Sequence, residues 1–347
     1  MKVLIDRLFV EWKELKTPEE QEIMKRYAEN CRRYSLGYSC KNESCNFYLF
    51  VPLSRYIYIC RFLNENSTML LNDPFIYFAV YMFTSVFLFV CMSLIPPLLD
   101  IVLPLNESRP VLPAHPGYYF VDEEEYFIYI FLHALVAWEI AVIGVVAHDC
   151  MLLTYIEHVC SILALVGFRF EQLMYKRNDA VKALHSHVHV NDTYRKRIAF
   201  SVCTHRKALK FAQLIEDTFS LTLAIQVALN TILISMTLLQ ITQRNASVFI
   251  VVRYVVYVLS QLIHLFCLSF EGQKLIDHSL QTRDKIYNSL WYETPTKSQK
   301  MLLFVMEKAL HPIFLSACKI YIFSMENFSM VRERSDITRA RYAIAAS

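Results

Sequence analysis

Four ionisable side chains, His148, Asp149, Glu157 and His158, fall within eleven residues of one another. Imidazole and carboxylate are the donors of zinc sites and of general acid–base pairs. The spacing suits neither on a helix. His148 and Glu157 are nine positions apart, and at ~100° per residue they point to opposite sides. The expected role is a polar stretch of a long helix. A second candidate, His185-Ser186-His187-Val188-His189, brings its three imidazoles to one side only in an extended chain, and it reads as a solvated loop rather than a metal tract. A third cluster, Glu307, Lys308, His311 and Pro312, interrupts the last apolar run, Met301 to Met325. The chain carries no GxSxG elbow, P-loop, HExxH or glycine-rich dinucleotide turn, so no enzyme activity, cofactor or resident metal is expected.

The elements that would hold these groups are apolar and long. Of 347 residues, 55% are hydrophobic and 19% charged, and only five are glycine; soluble domains sit near one quarter charged. Phe75 to Leu103 holds one charge, Asp100; Phe127 to Phe168 runs 42 residues; Thr218 to Ile241 holds none; Val248 to Phe270 holds Arg253 alone among Asp, Glu, Lys and Arg. Each reaches the ~20 residues a membrane-crossing helix needs. The composition therefore predicts a polytopic membrane protein.

Lysine and arginine decide how the 42-residue block is used, because loops rich in them stay cytosolic. Residues 1–74 hold eleven, 104–126 one, 171–210 nine, 242–247 one and 271–300 five. One long helix over the block gives strict alternation; two spans would put nine basic residues outside. The expectation is a single helix of ~63 Å, whose second half leaves the membrane on the cytosolic side. The N-terminus is then inside and the C-terminus outside. Sequons at Asn106 and Asn245 fall in the two expected outside loops, and the ten cysteines lack CxxC spacing. Thr17-Pro18-Glu19-Glu20 is a capping box. It opens a helix with Ile23, Met24 and Tyr27 on one face, expected to rest against the cytosolic ends of the spans. The basic runs coincide with cytosolic loops, which argues against nucleic acid as a partner.

Particular motifs go further. Gly272-Gln273-Lys274-Leu275, Tyr287 with Trp291-Tyr292, Lys297 through Leu303, and Ser324-Met325-Glu326-Asn327-Phe328 resemble the C-terminal region of insect odorant receptors. "LDIVLPLNESRP" at 99–110 and "AHDCMLLTYIEHVCSILALVGFRFEQL" at 147–173 look like the large hymenopteran branch of that family. The resemblance covers about 1–39 and 81–331. It implies an all-α polytopic membrane helical bundle, with about five of the family's seven spans here, a cytosolic N-terminus and an outside C-terminus. It implies a tuning subunit that binds a small volatile or hydrocarbon odorant and gates a cation channel. The partner would be the shared odorant receptor co-receptor, in a hetero-oligomer, a tetramer, surrounded by membrane lipid in the plasma membrane of olfactory sensory neurons.

By the same resemblance the last segment splits in two. Lys297 to His311 becomes a cytosolic subunit-packing half, in a packing region of about 271–311, and Ile313 to Val331 a pore-lining half. Pro312 marks the break, and Lys319 and Glu326 fall on one helix face. Tyr287, Trp291, Tyr292, Gln299, Lys300 and Phe328 complete the pore and packing set. The ligand site is expected in the outer half of the bundle: Met92 and Ile95 from the first block, Tyr129, His133 and Trp138 from the second, and Val252 and Val256 from the fourth.

The chain also departs from the family pattern. Residues 1–39 read as a cytosolic helical segment matching the loop after the family's second span. Residues 40–80 have no counterpart and read as a translated intron, 81–331 as the transmembrane domain, and 332–347, with four Arg in sixteen residues, as a divergent tail. Cys318 stands where the family has Gly. These departures support an alternative reading, a truncated or alternatively spliced fragment without channel activity. A G-protein-coupled receptor is a weaker alternative, since the Glu/Asp-Arg-Tyr box and the NPxxY signature are lacking and the orientation is opposite.

Overall fold

The computed structural model describes residues 4, 17–39, 87, 89–103, 120–122, 125–183, 187–242 and 248–330. The expected insert at 40–80, both sequons, the tail at 332–347 and the side chains of His185 to His189 lie outside the described residues. The described chain is almost wholly helical. Helix α1 spans Pro18–Ser39. A 3-10 turn, Met92–Leu94, leads into α2, Ile95–Val102. Three long helices follow: α3, Phe127–Ala183; α4, His187–Ile241; α5, Val248–Tyr287. A second 3-10 turn, Trp291–Glu293, precedes α6, Thr296–Lys308.

Helix α3 is one uninterrupted helix of 57 residues, as the basic-residue count predicts, and rises ~86 Å. Three stretches, Phe127–Gln172, Arg195–Ile241 and Val251–Tyr287, are long and apolar enough to cross a membrane; the apolar helix Phe89–Val102 is shorter. The molecule is a helical membrane bundle. Its main core lies in one half. Leu152, Tyr155, Ile156, Val159, Leu163, Val166 and Phe170 of α3 meet Ala208, Phe211, Ile215 and Phe219 of α4, with Leu268, Leu275 and Ile286 of α5 and Leu302 and Val305 of α6. Towards the start of α3 the apolar faces open instead: Ile128, Leu132, Val136 and Ile140 are exposed, as are Ile225, Leu229, Ile232 and Met236 of α4. Large apolar faces on a bundle of this length suit contact with lipid tails or with neighbouring helices.

Helix α1 begins as its capping box requires. The Glu20 N–H donates to Thr17 Oγ1 at 3.2 Å, satisfying one of the orphan donors of the first turn. Met24 is buried in the main core, with Tyr27 packed against it. Glu20 accepts from Arg169 Nε at 2.7 Å, and Arg169 Nη1 also donates to Thr204 Oγ1 at 3.1 Å. Helix α1 thus rests on α3, with Tyr27 reaching His278 of α5, rather than lying apart from the bundle.

The last segment differs from expectation. Ile313 to Val331 is not one helix. Ser316–Ala317 (β1) and Tyr321–Ile322 (β2) pair antiparallel, Ser316 with Ile322 and Ala317 with Tyr321. The turn between them places Cys318 at φ 50° and Lys319 at φ 61°, and the Ile320 N–H closes it onto the Ala317 carbonyl at 2.9 Å. Two successive positive φ values make a type I′ turn and cannot continue a right-handed helix. Lys319 therefore sits at a hairpin tip, and the shared helix face expected for Lys319 and Glu326 does not exist. Helix resumes at 325–330, α7. Ser324 caps it, its Oγ accepting the Asn327 N–H at 3.2 Å, and Glu326 falls in its first turn.

Candidate functional site

The hairpin is held by side chains of the two long helices it crosses. Backbone donors that a helix would have satisfied internally go elsewhere. The Ser316 N–H donates to Glu216 Oε2 of α4 at 2.9 Å, and the Ser316 hydroxyl donates to the other oxygen of the same carboxylate. The Cys318 N–H donates to Ser220 Oγ at 2.8 Å, one helical turn further along α4. On α5, Ser279 Oγ accepts the Ile313 N–H at 3.1 Å and Gln273 Oε1 the Met325 N–H at 3.3 Å. Gly272 lets the backbones touch: a Cβ built there would lie 2.2 Å from the Phe323 carbonyl oxygen. Phe323 is fully buried, and Tyr321 stands edge-on to it at 5.2 Å. Beyond the hairpin, Phe328 of α7 meets Phe266 of α5 edge-on at 5.4 Å.

Next to this junction, inside the three-helix core, lies a polar network. Asp149 of α3 is 2% exposed and bonds His264 Nε2 of α5 at 2.6 Å. Gln226 Nε2 of α4 reaches Asp149 Oδ1 at 3.5 Å and His264 Nε2 at 3.3 Å. His148 lies 3.2 Å from Asp149 Oδ1 and 3.0 Å from Thr222 Oγ1. One carboxylate thus ties three helices. Two turns further along α3, Glu157 pairs with Lys274 of α5. His148 and Glu157 serve different partners, as their opposed directions on one helix require. On the far side, Tyr27 Oη lies 3.3 Å from His278 Nε2, and burial raises the Tyr27 phenol.

The residues expected to bind ligand lie at the other end of the helices. Trp138 stands beside Val90, Phe131 and Ala134 in a small separate apolar cluster, edge-on to Phe89 at 6.2 Å. Met92 and Ile95 are half-buried near it in sequence, and His133 is exposed. Tyr129 is 72% exposed, Val252 46% and Val256 37%, so the described packing does not gather them into one closed cavity. Among the residues expected at the packing surface, Tyr287 and Tyr292 are exposed. Trp291 packs against the core and edge-on to Tyr292 at 6.4 Å. Gln299 Nε2 donates to the Tyr292 carbonyl at 2.5 Å; Lys297 and Lys300 point to solvent, and Pro312 is half-buried after α6 has ended at Lys308.

A family model described as the 7tm odorant receptor matches residues 63–333. The chain belongs to the odorant receptor family. The odorant receptor coreceptor of Drosophila melanogaster is 26% identical over 140 residues, 40% of this chain and 28% of that protein. Putative odorant receptor 65b of the same fly is 25% identical over 257 residues, 73% of this chain and 60% of that one. The chain therefore spans about a quarter to three fifths of the length of these curated relatives. The solved structure of the olfactory receptor OR5 from Machilis hrabei in complex with eugenol superposes with a TM-score of 0.56 at 10% identity, covering 99% of this chain and 87% of that one. The fold of the odorant receptor chain is thus that of a known insect olfactory receptor.

Several residues of this odorant receptor escaped the sequence reading. Glu216, Ser220 and Ser279 lie within helical runs and carry no motif. Gln226 and His264 are isolated polar positions in apolar spans; such interruptions are a usable signal, because a polar side chain in a span normally finds an interhelical partner.

Proposed function

We propose that the chain is an odorant receptor tuning subunit. It binds small hydrophobic odorants in the outer half of the bundle and gates a cation channel formed with the shared co-receptor, in the plasma membrane of olfactory sensory neurons. Family membership over residues 63–333 supports odorant sensing, and the observation that carries the reading is the junction of the last segment. Helix α6 ends, a hairpin clamped between Glu216 and Gly272 reverses the chain, and α7 restarts beside α5. A ligand-driven shift of α5 would reach α7 through the same contacts. The nine and five basic residues at 171–210 and 271–300 support a cytosolic position for the α6 end of the bundle and an outside position for the Trp138 end.

Trp138, Phe89, Met92 and Ile95 supply apolar and aromatic surface for a ligand, with Tyr129, His133, Val252 and Val256 around it. Exposed Tyr287, Tyr292, Lys297 and Lys300 face a neighbouring subunit. Co-expression with a co-receptor in cells that lack other odorant receptors tests the proposal. Odorant-evoked cation current should appear and should fall when Trp138→Ala is introduced. Current identical to that of the co-receptor alone across a broad odorant panel, with the chain at the surface, would refute it.

A further inference from the structure

Two buried hydroxyls meet where the hairpin crosses α5. Ser269 is fully buried. Its Oγ and the Oη of Tyr321 are both shielded from solvent, and among the described residues neither closes a hydrogen bond. They face one another across the contact, Ser269 being the polar neighbour of the Tyr321 phenol. The backbone explains the match. Ser269 lies one turn before Gly272 and Gln273 on the same face of α5, ~4.5 Å from Gly272 along the axis. Tyr321 lies two residues before Phe323, on the same side of the strand, and the Phe323 N–H continues the ladder to the Leu315 carbonyl at 2.9 Å. The Phe323 carbonyl oxygen presses on Gly272, so the side chain one step back along the hairpin falls over the turn one step back along α5.

An unbonded hydroxyl out of water costs free energy that a bond to a facing partner would offset. Each of these hydroxyls can donate one hydrogen bond and accept others, so a small approach of α5 satisfies both at once. The hairpin is not held equally on its two sides. Its bonds to α4 are short: the Ser316 N–H reaches Glu216 at 2.9 Å and the Cys318 N–H reaches Ser220 at 2.8 Å. Its bonds to α5 are longer, 3.1 Å from the Ile313 N–H to Ser279 and 3.3 Å from the Met325 N–H to Gln273. The hairpin therefore moves with α4, and α5 is the element that can shift against it, with the tight contact at Gly272 as the pivot.

We propose that Ser269 and Tyr321 form a latch between α5 and the hairpin, open in the arrangement described and closed by a direct hydrogen bond in the odorant-activated channel. The latch rests on the channel-gating function proposed above and names the contact through which α5 reaches α7. It has a characteristic mutational pattern. With the latch open both hydroxyls are unbonded; with it closed both are satisfied. Removing either one leaves the other unbonded in both arrangements, so that penalty cancels and closure loses everything the bond supplied. Removing both has the same result. Ser269→Ala, Tyr321→Phe and the double variant should therefore shift activation equally.

The test uses the chain with its co-receptor. A panel of straight-chain hydrocarbons, alcohols and carboxylates is applied in current recordings, and the most effective compound is titrated. Each of the three variants should raise its half-maximal concentration by the same factor, about two- to tenfold for one neutral hydrogen bond. Ser269→Ala, the smaller change, carries the test if Tyr321→Phe does not reach the surface. The thermal midpoint of the purified complex without odorant is the second reading. Neither single variant should lower it, because the hydroxyl removed was unbonded. Additive shifts in the double variant, a shift to lower concentration, or an unchanged value for Ser269→Ala each overturn the latch. So does a midpoint lowered in both single variants, which would mean that the bond is already closed without odorant. If compounds evoke current and the variants respond as the unmodified chain does, the latch falls while the receptor function stands. If no compound evokes current, both fall.

Discussion

Gly272→Ala is a sharp test of how the last segment is held, because two effects of opposite sign act on it. Gly272 lies inside α5, where alanine is the better helix former by about 0.8–1.0 kcal/mol. If nothing approached the position, the substitution would stabilise the protein by that amount. In the structure the new methyl would meet the Phe323 carbonyl oxygen at 2.2 Å, its Cβ at 2.8 Å and its carbonyl carbon at 3.0 Å. An ordinary contact needs about 3.5 Å or more, so the hairpin must retreat by ~1 Å. These are mostly backbone atoms of a fully buried residue, held by the Glu216 and Gln273 bonds on either side, and no rotamer change relieves them. Overpacking of this kind costs typically 1–3 kcal/mol, occasionally more. The net expectation is a loss of about 0–2 kcal/mol, with α7 displaced from Phe266. Thermal denaturation followed by fluorescence-detected size exclusion in detergent reads it. A midpoint lowered by a few degrees agrees; a raised midpoint would show that α5 and the hairpin do not touch at Gly272.

Other perturbations follow from the same contacts. Glu216→Ala leaves the N–H and hydroxyl of buried Ser316 without their acceptor, at about 1–3 kcal/mol for each group; protease cleavage near 316–322 should rise, and an unchanged cleavage pattern would count against the clamp. Asp149→Ala breaks a buried network that ties α3, α4 and α5, and should cost about 3–5 kcal/mol. A matched loss in the double variant Asp149→Ala/His264→Ala, smaller than the sum of the two singles, confirms the coupling. Cys318→Gly should stabilise by about 1 kcal/mol, because Cys318 holds a left-handed conformation that costs an L-residue ~1–2 kcal/mol and glycine almost nothing; a lowered midpoint would contradict the turn. Thr17→Ala should loosen α1 by about 0.5–2 kcal/mol, read as faster amide exchange at Glu20.

Much of the architecture was legible from residue chemistry. The Thr17 capping box and the single long helix over Phe127 to Phe168 follow from hydrogen bonding and from the distribution of basic residues, both of which are local; Pro312 signalled a break, and the helix ends four residues before it, at Lys308. The family was legible from motifs such as Gly272-Gln273-Lys274-Leu275, and the close approach to Phe323 now supplies the physical reason for its glycine. The hairpin was not legible. Its turn is Cys318-Lys319, without the Asn-Gly or Asp-Gly pair that announces a type I′ turn, and its stability comes from Glu216 and Ser220, about a hundred residues away. The polar network was half legible: His148 and Asp149 drew attention as an isolated pair, but their meaning depends on Gln226 and His264, which sequence distance hides. Arg253 was visible as the single charge in an apolar span, yet only the folded chain shows Phe89 beside it.

The central claim is that this chain senses odorants as a channel-gating subunit, and whole-cell recording with the co-receptor tests it most directly. Cells expressing both should show odorant-evoked cation current that is absent with the co-receptor alone and is reduced by Trp138→Ala. Surface-exposed chain that co-purifies with the co-receptor, yet adds no odorant-evoked current across a broad panel, would contradict the account.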